Sequence, residues 1–139
     1  MPSLPETNGS LFVRTDFADD SAWGALVRAV SQENEDGFRA YVEFVNDPEF
    51  RDADQHSLKA GLQAIHSDAA VLFVADSPAL IQPEFPILVV DILEDRQSFR
   101  CLARELWSVD NNLNIHNMDW EEFLDATDSY GVFRGFAQA

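Results

Sequence analysis

A single α/β domain, with a mixed sheet of about five strands and helices packed against it, is what this sequence predicts. Three observations carry the prediction. Two continuous apolar runs, "AAVLFVAD" and "PILVVDIL", have strand length and do not alternate, as expected of strands buried on both faces at a sheet centre. Segments with apolar residues at helical spacing follow each of the first two predicted strands. A short polar connection, "EDRQ", then joins the second run to "SFRCLA", which places an antiparallel hairpin in the same sheet.

The chain is long enough for this. At 139 residues it fits one domain, and a chain near this size buries roughly 70% of the surface it exposes when unfolded, without a disulfide or metal staple. Apolar residues make up 46%, with eleven Phe and three Trp. The single cysteine, Cys101, has no internal partner, so a reducing cytoplasm is the expected compartment. No apolar run approaches the roughly 20 residues that span a bilayer. The opening "MPSLPETNGS" has neither a basic start nor an apolar core, so it is read as a flexible tail over residues 1–10 rather than a signal peptide, with the globular domain over 11–139.

The elements follow in order. Leu11 to Thr15 make the first strand, ending at Asp16. In "DDSAW", Asp19, Asp20 or Ser21 supplies an oxygen for the free amides of a helix start. Trp23, Leu26, Val27 and Val30 then fall at i, i+3, i+4 and i+7, one apolar face, and "ENEDG" ends the helix. "FRAYVEFVNDP" reads as a second strand with only one apolar face, Phe38, Ala40, Val42 and Phe44, and therefore near an edge. Pro48 and the preceding Asx residues stop it. A second helix is predicted from Gln55 to His66 on Leu58, Leu62 and Ile65, weakened by Gly61. The two apolar runs come next, separated by "SPALIQPEFP", which three prolines mark as a loop. The predicted hairpin sets Ile87–Leu93 against Ser98–Leu102. A short helix, Arg104 to Val109, and a last strand within Val132–Phe136 complete the order β-α-β-α-β-β-β-α-α-β, with Gly131 as a left-handed residue after the last helix.

The stretch "NNLNIHNMDWEEFLDA", Asn111 to Ala126, looks most like chemistry, with four asparagines, a histidine, a tryptophan and four carboxylates. Its second half has a structural explanation. Asp119 and Glu122 have capping-box spacing, and Met118 and Phe123 flank the box as a hydrophobic staple. "NNLNIHN" admits two readings: asparagines tying down a loop through local backbone bonds, or amides that with Trp107 and His116 face a partner. Trp107, Asn111, Asn112 and Asn114 are the candidate partner-binding residues on the second reading.

Charge is the strongest global signal. Nine basic residues against twenty-five acidic ones give −16, with thirteen acids in residues 1–70 and twelve in 71–139. Such a surface repels phosphate backbones and anionic membranes, so neither nucleic acid nor membrane is an expected partner, while a basic protein is. Acidity also serves solubility alone. No nucleophile elbow, phosphate loop or dinucleotide fingerprint is present, and His56, His66 and His116 lack metal-ligand spacing, so no catalytic residue and no cofactor is assigned. Asp16, Asp76 and Asp91 each lie at or near the end of a predicted strand. Three convergent carboxylates there would hold Mg²⁺ for phosphate chemistry. Against this, the hairpin forces at least one strand to run the other way, and Asp is common at strand ends.

"VRTDFADDSAW", "AYVEFVNDPEF", "LFVAD", "PILVVD", "WSVDNNLNIHNMDWEEF" and "GVFRGF" together resemble an uncharacterised family of small acidic bacterial proteins, a domain of unknown function. The resemblance spans nearly the whole chain and implies a bacterial cytoplasmic protein; it carries no activity across. Size, acidity and the "MDWEEFLDA" helix are also similar, more generally, to immunity-type α+β domains. The expected function is a non-enzymatic, acidic protein-binding or regulatory module, with an immunity-like neutraliser of a basic nuclease as one version. The alternative is a small Mg²⁺-dependent enzyme acting on phosphate through Asp16, Asp76 and Asp91.

Overall fold

A computed structural model describes residues 4–5, 9–65, 70–115 and 117–136. It has the predicted class: one α/β domain built on a mixed sheet, with six strands rather than about five. These are β1 (Ser10–Arg14), β2 (Val42–Val45), β3 (Val71–Ala75), β4 (Pro86–Asp91), β5 (Phe99–Leu102) and β6 (Val132–Phe133). The helices are α1 (Asp20–Ser31), α2 (Gln55–Gln63), α3 (Ser77–Ile81), α4 (Leu106–Asn114) and α5 (Trp120–Asp125), with single 3-10 turns at Pro48–Phe50 and Ala103–Glu105.

The strand order is β2-β1-β3-β4-β5-β6. β1 runs parallel to both β2 and β3, β4 is antiparallel to β3 and β5, and β6 is parallel to β5. The two apolar runs do occupy the centre as β3 and β4, and the hairpin pairs Ile87 with Cys101. Alternation along the strands splits the core into two layers, since successive side chains point to opposite faces. Phe12, Phe73, Val89 and Phe99 pack with Trp23, Leu26, Leu106, Val109, Trp120 and Phe123 of α1, α4 and α5. Leu11, Val13, Leu72 and Val74 pack on the other face with Phe50 and with Leu58 and Leu62 of α2. Cys101 is fully buried, and burial pushes its thiol far above the usual range.

Four expectations need correcting. "SPALIQ" is not loop: Asp76 accepts from the Ala79 amide at 3.3 Å and Pro78 sits in the first turn, where its missing N–H costs nothing, so α3 forms. The asparagine run is helical, because α4 continues to Asn114 instead of stopping at Val109. The second strand starts at Val42, not Phe38; the Tyr41 amide donates to Asp110 at 2.9 Å rather than to a neighbouring strand. It does lie at the sheet edge. The second helix ends at Gln63, and His66 lies outside the described residues. At the N-terminus β1 begins one residue early, at Ser10, and Leu4 is buried against the α2-side core; most of the segment read as a tail is outside the described residues.

Asp19, among the cap candidates the sequence offers, accepts from the Ser21 and Ala22 amides to start α1. Asp54, which the sequence reading did not single out, accepts from Ser57 to start α2. At α5 both halves of the Asp119–Glu122 box are present, with the Asp119 amide donating to Glu122 at 2.8 Å. Met118 packs against the same core as Phe123. Gly131 has the left-handed φ expected of it, +76°.

Candidate functional site

Sheet direction decides the fate of the three aspartates. β1 and β3 are parallel, so Asp16 and Asp76 follow strand ends on the same edge of the sheet. β4 runs back, and Asp91 pairs in register with Val71, the first residue of β3, on the opposite edge. The three are therefore not brought together. Each also has local work. Asp16 accepts from the Ala18 amide at 2.9 Å. Asp76 takes a two-pronged bond from Arg100 at 2.8 and 2.9 Å. Asp91 is paired with Arg96. Among the described residues no group of three or more His, Cys, Asp or Glu is placed to share a metal ion.

The asparagines separate as well. Asn114 points inward: its amide nitrogen donates to Ser10 Oγ and Asp110 Oδ1, both at 2.8 Å, and its oxygen accepts from the Ala70 amide at 3.0 Å. With Ser10 donating to Asp110 at 2.8 Å, this network ties α4 to the starts of β1, β2 and β3. Burial pushes the Asp110 carboxyl up, against bonds from Tyr41, Ser10 and Asn114 that pull it down. Asn112 donates to the Ser108 carbonyl one turn back at 2.8 Å and accepts from the Asn117 side chain at 2.9 Å. Asn111 is half-buried, and its carbonyl accepts from the Ile115 amide. His116 lies outside the described residues. Of the four candidate partner residues, Trp107 lines a large concavity.

That concavity is a groove of about 710 Å³. One wall is the end of α1 and the turn after it, where the Asn34 side chain accepts from the Asp36 and Phe38 amides and fixes the loop. The other is the 3-10 turn and first turn of α4, and the segment after β6 closes the end. Aromatic surface comes from Trp107 and Phe136, the latter seated over the buried Phe133. Trp107 stacks on Phe38 with ring centres 5.1 Å apart and planes 10° from parallel. Phe136 packs edge-on against Phe133 at 5.0 Å and remains 45% exposed. The charged lining is Glu33, Glu35, Asp36 and Glu105 against Arg104, four acids to one base. Burial raises the Glu105 carboxyl above its usual range, opposed by the Arg104 charge. Arg104 reaches Glu105 at 3.2 Å and is also held by Glu84 at 3.3 Å. Gly135, at φ +101°, lets the backbone approach Glu105: a Cβ there would stand 2.7 Å from Oε1.

Sequence reasoning reached Trp107 but not Glu105 or Phe136, and it read "ENED" only as the end of a helix. Nothing local marks them, because the groove is assembled from three segments far apart in the chain. A second concavity, about 230 Å³, lies between α2 and the β4–β5 connection. Its cations are already engaged: Lys59 with Asp95 and the Glu94 carbonyl, and Arg96 with Asp91.

Fold and surface together define an α/β domain with helices on both faces of a mixed sheet and an acidic, aromatic-walled groove on the α1–α4 side. The chain belongs to the family described as "Domain of unknown function (DUF6924)", which it matches over residues 9–136. No curated protein matches it. No helix among the described residues is long and apolar enough to cross a membrane.

Proposed function

We propose that this protein is a non-catalytic binding module that engages a basic segment of another protein through the groove between α1 and α4. The observation that carries this reading is the groove itself, in which four carboxylates, one arginine and Trp107, its ring stacked on Phe38, line one concavity. An aromatic wall gives contact area at low entropic cost, and a ring of like charge selects a cationic partner and speeds its approach. The net charge of −16 extends the same field over the whole surface. An immunity-like role in a bacterial cytoplasm, with a basic nuclease as the bound partner, is one version. The Mg²⁺ alternative loses its main support once Asp91 stands on the other edge of the sheet.

The test is a calorimetric titration of the chain with a short Lys/Arg-rich peptide, at about 0.02 M and about 0.5 M salt, where the screening length differs several-fold. Binding at low salt that weakens at least tenfold at high salt, and that is lost in Trp107→Ala with the far-ultraviolet spectrum unchanged, supports the reading. No binding at low salt, or binding indifferent to Trp107→Ala, overturns it.

A further inference from the structure

We infer that the groove is a receptor for an arginine side chain of the partner, with Glu105 as the anion and the Trp107 ring as the stacking surface. This rests on the basic-partner reading above and narrows it.

The chain shows twice how it holds an arginine between a carboxylate and an aromatic ring, once buried (Arg14) and once half-buried (Arg96). Arg14, 2% exposed at the end of β1, donates to Asp20 at 2.9 Å and lies 4.4 Å from the Phe17 ring centre and 5.3 Å from that of Trp23. Arg96 donates to Asp91 at 2.7 Å and lies 5.6 Å from the ring centre of Trp120. Each site pairs a carboxylate with an aromatic face. A planar guanidinium satisfies both at once, bonding through its edge and stacking through its plane.

The groove offers the same two components. Glu105 and Trp107 line it together, and Gly135 leaves the carboxylate room. Among the described residues no arginine lies over the Trp107 ring. Arg104 touches Glu105 through a single nitrogen, and its Nε is turned to Glu84. One indole face is covered by Phe38, which holds the ring in place before anything binds. Loss of water from Glu105 favours a weakly hydrated guanidinium over a compact, strongly hydrated ammonium.

The experiment compares two peptides of equal length and charge, one carrying arginines and the other lysines, against the full chain and against Glu105→Gln and Arg104→Gln. The arginine peptide is expected to bind roughly tenfold more tightly than the lysine peptide. Glu105→Gln should reduce that preference to within about twofold. Arg104→Gln should tighten the arginine peptide, a gain that general damage to the fold would not produce. Equal affinity for the two peptides overturns the arginine assignment and leaves the basic-partner reading standing. A preference that survives Glu105→Gln places the arginine elsewhere and also overturns the assignment. Absence of binding by either peptide removes both readings.

Discussion

Arg96 donates from Nε to the Asp91 carboxylate at 2.7 Å, and its own amide donates to the same oxygen at 3.2 Å. Asp91 is 2% exposed, so this pair closes the β4–β5 connection around a buried charge. Burial alone would raise the Asp91 carboxyl; bonds from the Arg96 side chain and amide outweigh it and hold the group below its usual range. A depressed folded value adds stability above the unfolded value, and that stability is lost as pH falls through the folded one. Arg96→Ala leaves the carboxylate buried and poorly paired, so it should cost about 1–3 kcal/mol at neutral pH. Denaturant midpoints at about pH 3 and about pH 7 check this, since the variant should also lose the stabilisation that the parent gains between them. A variant with the parent's midpoints would mean that the pair adds nothing.

Asp110 should behave in the opposite sense. Its carboxyl is raised by burial, in spite of the bonds it accepts from Tyr41, Ser10 and Asn114. A raised folded value makes its contribution greatest below the ordinary aspartate value of about 3.9 and diminishes it as pH climbs through the folded value. Asp110→Asn removes the titration while keeping an oxygen for the Tyr41 amide. The difference in unfolding midpoint between variant and parent should therefore shift in the variant's favour as pH rises across that window. A difference that is flat with pH, measured by urea titration at several pH values, would refute the assignment.

The capping box at α5 gives a third expectation. Asp119→Ala frees an amide in the first turn and removes a negative charge from the positive end of the helix, at a cost of about 0.5–2 kcal/mol. Asp119→Asn and Asp119→Ser should recover most of that, because each keeps an acceptor oxygen. If Asp119 instead served a ligand, the alanine variant would be as stable as the parent or more so. Thermal melts of the three variants separate the two cases.

Much of the fold was legible because local signals agreed with the global arrangement. The apolar runs of β3 and β4, the caps at Asp19 and Asp119 and the left-handed Gly131 are each fixed within a few residues. The asparagine run was misread for a physical reason. Asn112 and Asn114 are poor helix formers in isolation, yet Asn112 bonds the Ser108 carbonyl and Asn114 the Asp110 carbonyl, each one turn back, and Asn114 is anchored to Ser10, 104 residues away. Tertiary bonds of that kind override propensity and leave no trace in a short window. α3 was legible in hindsight, as an Asp cap followed by a proline in the first turn. The groove was not, since Glu33, Glu105 and Phe136 meet only when the ends of α1, β5 and β6 are already in place.

The strand order also sets a timetable for a chain emerging from the ribosome. β1 is made before the other five strands of the sheet and ends up inside it, with Leu11 beside Glu43 on one side and Leu72 on the other. At about 5–20 residues per second, Val71–Ala75 is made roughly 1.5–6 s after Val42–Val45. For that interval one edge of a strand with Leu11, Phe12 and Val13 at its centre has no partner, which is the state that recruits holding chaperones or a neighbouring nascent chain. A slow stretch of translation between α2 and β3 would lengthen the exposure without altering the finished molecule.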